Sequence, residues 1–341
     1  MIDAAASRNT SRLRRPLYPS APQDSVALAE EADAVLAESR PADARQILAL
    51  APPDRPELAT MLLYRACHRG ENGVFLDRFA TPSARPAPHV QPVRILIVPG
   101  FLFAEHPELA IDGKLVLSIA ARLGVEAEIA EIDSRGTVEA NGALVAGRLS
   151  ESSGVPTWMF SISKGTSDAR AALNHMGGWP STLAGWVDLS GIFSGTPIAD
   201  WWTEETARRW LLKALFGINN LPFRALLEMR RDSPIWQRPV TPPSPDRLIH
   251  VLGFPPPWRV EPRMLRNYRR LLSMSGPNDG FTPLVDAFDY PGRLYPIWGA
   301  DHLMRLPDLT VVVDRIIHMA AAVESGRPIR HPWEGDKQCV A

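Results

Sequence analysis

The sequence predicts an α/β fold, with a mostly parallel sheet and helices on both faces. Three observations carry this expectation. From residue 93 onward, short apolar runs rich in β-branched residues alternate with stretches of helical periodicity. The first run, Val93-Arg94-Ile95-Leu96-Ile97-Val98, is almost continuously apolar, as in a strand covered on both faces. A later run, 156–162, passes without a loop into Ser163-Lys164-Gly165 and then into a helical pattern.

The elements follow in chain order. Residues 1–24 hold Arg8, Arg12, Arg14 and Arg15 with only Asp3 and Asp24 against them, and no apolar stretch follows the charges. They read as a solvated tail rather than a secretory signal. Residues 25–85 form an N-terminal helical extension, broken at Pro41 and at Ala51-Pro52-Pro53 because proline cannot continue a helix. No fixed repeat period is present, so the extension is expected to cap the main domain, joined to it by the Pro-rich linker 82–92. The main domain is expected over 86–325. It alternates strand 93–98, helix 112–123, strand 125–132, helix 137–150, the strand and helix around Ser163, and strand 184–189. It ends with strand 247–254, helix 262–273, strand 294–298 and helix 306–324. Residues 201–238 interrupt this rhythm with Trp201-Trp202, Trp210-Leu211-Leu212 and Leu215-Phe216 between Pro197 and Pro234. They are either a helical lid over an apolar pocket or a helix pair packed on the sheet. Residues 326–341 form a loose tail.

The strand-to-helix turn carries the chemistry. Small residues are needed two positions before and after a serine on such a turn, and Ser161 and Gly165 meet that need around Ser163. A hydroxyl held there stands above the sheet at a helix N-terminus, where developing negative charge is favoured. Downstream, Asp279 sits in the turn Gly276-Pro277-Asn278-Asp279-Gly280, and His302 follows the strand 294–298. In this chain order the serine is a nucleophile, His302 its general base, and Asp279 the group that fixes the imidazole tautomer. Asp188, at the end of strand 184–189, is the second choice of acid, Asp301 beside the histidine also competes, and the other histidines, His250 among them, receive no role.

The segments Val98-Pro99-Gly100-Phe101-Leu102-Phe103 and Ser161-Ile162-Ser163-Lys164-Gly165, the Asn278-Asp279-Gly280 turn and the His302 segment together resemble the α/β-hydrolase superfamily. The likeness is to bacterial lipase- and esterase-like members and covers roughly 93–324. It implies an α/β-hydrolase fold with a helical lid insertion, cleaving carboxylic esters or thioesters through an acyl-enzyme; no C-x-x-C or H-E-x-x-H spacing occurs, so no metal or cofactor is expected. The resemblance puts the oxyanion donors at the amides of Lys164 and Phe101, and the substrate contacts at Leu102, Trp201, Trp202 and Phe216. The Lys164 side chain itself reads as a solvated surface lysine. Pro99-Gly100 stands where the family often has a histidine and a glycine, and Ser161 stands for the first glycine of the turn. An acyltransferase using the same triad, or a non-catalytic binding protein on the same fold, are the alternative readings.

Composition narrows the partners. A net charge of −1 offers no field for nucleic acid, and Cys67 and Cys339 cannot make a disulfide framework. No stretch of about 18 apolar residues occurs, so no transmembrane segment is expected. Glu204, Glu205, Arg208 and Arg209 leave lipid contact weak, and the expectation is a soluble cytoplasmic protein acting on a small ester or thioester.

Overall fold

The computed structural model describes residues 22–39, 41–80, 93–151, 154–305 and 309–324. The linker and C-terminal tail read from the sequence, and nearly all of the N-terminal tail, lie outside them. The strands are β1 (Arg94–Val98), β2 (Glu126–Ile129), β3 (Thr157–Ile162), β4 (Leu183–Leu189), β5 (Leu248–Phe254) and β6 (Arg293–Trp298). They form one sheet in the order β2-β1-β3-β4-β5-β6, and the pairings of β1 with β2 and β3, of β3 with β4 and of β4 with β5 are all parallel. The helices are α1 (Pro22–Ser39), α2 (Ala44–Ala49), α3 (Pro56–Cys67), α4 (Gly70–Ala80), α5 (Lys114–Arg122), α6 (Val138–Ser150) and α7 (Lys164–His175). They continue with α8 (Pro197–Glu204), α9 (Thr206–Ile218), α10 (Phe223–Glu228), α11 (Leu265–Ser275) and α12 (Leu309–Glu324). None of them is long and apolar enough to cross a membrane.

Contacts divide the chain into two units that do not follow chain order. The larger comprises the described parts of His68–Val251, Tyr290–Tyr295 and Arg305–Ala341. Its central strands are apolar because both faces are covered: β1 and β5 are buried along their whole length. Leu96, Val98, Met159, Trp186, Phe193 and Leu248 form its core with Val145, Ala146 and Leu149 of α6 and Ala169, Ala172 and Leu173 of α7. Local chemistry starts the helices. Thr137 caps α6 by accepting from the Ala140 amide, and Thr196 caps α8 with Pro197 in its first turn.

The smaller unit comprises the described parts of Met1–Cys67, Leu252–Asp289 and Pro296–Met304. Leu28, Ala32 and Leu36 recur every four residues along α1 and are buried, as are Leu58, Met61, Leu62 and Leu63 of α3. Arg65 of α3 pairs with Asp33 of α1 at 2.6 Å, and Arg55, the residue before α3, pairs with Glu31 of α1 at 3.0 Å. Tyr64 packs its ring on Phe254 and Trp298. The N-terminal helices thus share a core with the ends of β5 and β6.

The first turn of α7 lies against the end of β1. A Cβ on Gly165 would fall 2.3 Å from Val98 O and 2.5 Å from Pro99 O, both backbone atoms, whereas one on Gly147 of α6 would meet nothing within 4 Å. Gly165→Ala should therefore lower unfolding free energy by roughly 2–3 kcal/mol, and Gly147→Ala should raise it by roughly 0.5–1 kcal/mol, both read from urea unfolding.

Candidate active site

Ser163 separates β3 from α7 and adopts φ 53°, ψ −121°. An L-residue held there carries strain on the order of 1–3 kcal/mol, so the surroundings must over-determine it. They do so through the backbone. The Ser163 amide donates to Leu189 O at 3.1 Å, and its carbonyl accepts from the amides of Thr166 and Ile192, each at 3.1 Å. Ser161, in the glycine position of the motif, is fully buried, and its hydroxyl is bonded to Thr166 Oγ1 at 2.7 Å while accepting from Trp186 Nε1 at 2.8 Å. In the loop after β1, the Gly100 amide donates to Ile111 O and the Leu102 amide to Ser134 O. The Phe101 and Lys164 amides enter no such backbone bond among the described residues. Leu102 itself holds φ 61°.

Asp279 and His302 lie in the smaller unit. The turn that carries Asp279 is fastened by Asn278, whose Nδ2 donates to Tyr268 O and Gly276 O and whose Oδ1 accepts from the Gly280 amide. Asp279 Oδ1 accepts from the amides of Phe281 at 2.8 Å and Thr282 at 2.7 Å. Its Oδ2 is then 2.8 Å from His302 Nδ1, and the His302 amide donates to Asp279 O at 2.8 Å. Both side chains are buried, and the Phe281 ring packs 4.7 Å from the imidazole. Burial alone would raise the Asp279 carboxyl. The charge and hydrogen bond of His302 and the two amides outweigh it and hold Asp279 below the usual aspartate range. Asp301 is turned away to other work, accepting from the amides of Glu261 and Leu303.

No family model matches the chain, and no curated relative matches it. Among solved structures, a metagenomic carboxyl esterase matches with a TM-score of 0.51 at 19% identity, over 72% of this chain and 80% of its own. The mature form of a Bacillus licheniformis lipase matches with a TM-score of 0.47 at 16% identity, over 73% of this chain and 96% of its own. The chain has the α/β-hydrolase fold.

Within this hydrolase fold, Asp188 is engaged elsewhere. Its Oδ2 lies 2.8 Å from His250 Nδ1 and its Oδ1 accepts from Thr166 Oγ1 at 2.7 Å. His250, given no role from the sequence, is therefore half of a second carboxylate–imidazole pair. A lone histidine inside an otherwise apolar strand was the only signal in the sequence, and the register that sets it beside Asp188 comes from the sheet. The Lys164 side chain also differs from the solvated reading. It is buried with Nζ 2.6 Å from Asp168 Oδ1, and Asp168 Oδ2 accepts from Asn141 Nδ2 at 3.0 Å. Burial pushes the Asp168 carboxyl up to about 6 against the pull of Lys164 and Asn141. In the 201–238 segment, Trp201 and Trp202 are half-buried with rings 4.8 Å apart, and Arg208 lies 4.1 Å over Trp201. Phe216 packs on Phe223, while Trp210, Leu211 and Ile218 of α9 are exposed. Glu228 of α10 accepts from the amides of Val138 and Glu139, fixing the segment to the start of α6.

Because the folded Asp279 carboxyl titrates below its unfolded value, it contributes stability that is fully present above about pH 4 and is lost as pH falls through the lowered value. Asp279→Asn should therefore cost roughly 2–3 kcal/mol at pH 7, with the gap to the parent protein narrowing below pH 4. Urea unfolding across pH 2.5–7 measures it, and a constant gap over that range would contradict the assignment.

Proposed function

We propose that the chain is a serine hydrolase that cleaves carboxylic esters or thioesters with an apolar acyl group through an acyl-enzyme. The observation that carries this reading is the strained backbone of Ser163 at the strand-to-helix turn. A protein that only bound ligands on this fold would have no use for an L-residue at positive φ there. The buried Asp279–His302 pair supports the same reading, because an imidazole whose Nδ1 is fixed on a carboxylate presents Nε2 as a base.

In this mechanism Ser163 Oγ attacks the ester carbonyl while His302 Nε2 takes its proton, and Asp279 stabilises the imidazolium. The carbonyl π electrons move to oxygen, and the oxyanion accepts from the Phe101 and Lys164 amides. Collapse of the tetrahedral adduct breaks the bond to the alcohol or thiol, which leaves with the proton from His302. Water then repeats the sequence on the acyl-enzyme and releases the acid. Trp201, Trp202 and Phe216, with Leu102, supply the apolar surface for the acyl chain in this reading.

A fluorophosphonate probe should label the protein, and Ser163→Ala should abolish labelling and lower ester turnover by at least about 10³-fold, leaving only binding and oxyanion stabilisation. Labelling that persists in Ser163→Ala would remove Ser163 as the nucleophile. For the acyl surface, Trp202→Ala should depress kcat/KM for an octanoyl ester far more than for an acetyl ester, since each buried methylene contributes about 0.8 kcal/mol. Equal losses on p-nitrophenyl acetate and octanoate would exclude Trp202 from the acyl site.

A further inference from the structure

The register of the sheet places Ser161 of β3, Asp188 of β4 and His250 of β5 side by side across three adjacent strands. All three are fully buried, in strands otherwise apolar around them. Thr166, in the first turns of α7, joins the row from above. Every proton in it has a direction. Trp186 Nε1 only donates, so Ser161 Oγ accepts from it at 2.8 Å and donates to Thr166 Oγ1 at 2.7 Å. Thr166 Oγ1 donates in turn to Asp188 Oδ1 at 2.7 Å. At the far end, His250 Nε2 is 3.0 Å from the Pro291 carbonyl, which only accepts, so Nε2 carries a proton. One further proton lies between His250 Nδ1 and Asp188 Oδ2, 2.8 Å apart.

We propose that the buried Asp188–His250 pair is a positioning device for the nucleophile, acting through Thr166 and Ser161; this rests on the reading of Ser163 as the nucleophile. Thr166 and Ser161 stand three residues after and two residues before Ser163, so the row grips the strained turn from both sides. The neighbouring loop is shaped to the row. A Cβ on Gly191 would fall 1.8 Å from Asp188 Oδ1 and 2.1 Å from Thr166 Oγ1, and the next residue, Ile192, donates its amide to Ser163 O. An apolar row of similar volume would pack as well without any polar group to satisfy, but it would hold no particular orientation. A chain of directed hydrogen bonds ending on a carboxylate does. It also accounts for the serine that stands in place of the first glycine of the motif, since a glycine would leave Trp186 Nε1 and Thr166 Oγ1 each without this partner.

Positioning predicts a loss in reactivity rather than in binding, because small displacements of a reacting atom cost orders of magnitude in rate. The test uses the full chain with Thr166→Val, which removes the hydroxyl at nearly constant shape, and Thr166→Ser, which keeps it. Three quantities are compared: the second-order rate of fluorophosphonate labelling, kcat and KM on p-nitrophenyl butyrate, and the melting temperature. Thr166→Val should label and turn over roughly 10- to 100-fold more slowly with KM within about 2-fold, while Thr166→Ser stays within about 3-fold of the parent. A folded Thr166→Val that labels at the parent rate overturns the proposal, as does a Thr166→Ser that is as slow as Thr166→Val. Should Thr166→Val not fold, Ser161→Ala takes its place, with parent-rate labelling again the overturning result. If the parent protein itself is folded and unlabelled, the nucleophile assignment fails first, and that outcome is distinct from a parent that labels and a variant that matches it.

Discussion

The close approach of α7 to the end of β1 is the constraint on which the turn at Ser163 depends. With no room for a side chain at Gly165, the helix can begin one residue after Ser163, with its first turn against the Val98 and Pro99 backbone that leads into the loop after β1. The chain must then reverse from extended to helical within a single residue, and Ser163 takes φ 53° to do it. Glycine would relieve that strain but would supply no hydroxyl. The residue proposed to react is thus the residue that carries the strain, and its backbone hydrogen bonds with Leu189, Thr166 and Ile192 offset it.

Much of this was legible in the sequence because it is local. Continuous apolar runs located β1, β3, β4 and β5, and the absence of any loop residues between β3 and α7 located the turn. What the sequence concealed is held by partners far apart in the chain. Lys164 reads as solvated because a lysine in a first helical turn usually is. Its burial depends on Asp168, one turn on, and on Asn141 of α6, which completes the carboxylate's hydrogen bonds. The grouping of α1, α2 and α3 with the segments that carry Asp279 and His302 has the same origin, since Tyr64 meets Phe254 and Trp298 nearly 200 residues or more away in sequence. The amphipathic pattern of α9 was visible, but periodicity cannot say which face turns inward, and Trp210, Leu211 and Ile218 face out.

The polar row under the turn was hidden for a related reason. A lone serine, aspartate or histidine within an apolar strand has no meaning by itself. Parallel register alone makes them neighbours, and register is fixed by pairings of residues roughly 26 to 62 positions apart.

The two carboxylate–imidazole pairs of this chain are alike in what is usually measured. Each is buried and each has Nδ1 2.8 Å from a carboxylate oxygen. They are separated by what their other groups meet. His250 has its Nε2 proton committed to the Pro291 carbonyl, so no lone pair remains on that nitrogen to accept a proton from a hydroxyl. Asp188, its partner, spends its second oxygen on Thr166 and so on the turn. Asp279 spends its second oxygen on the amides of its own loop, which orients the carboxylate toward His302. By this criterion the Asp188 pair is built to hold, which leaves the Asp279 pair for the transfer role proposed above. Distance and burial, equal in both, could not have told them apart.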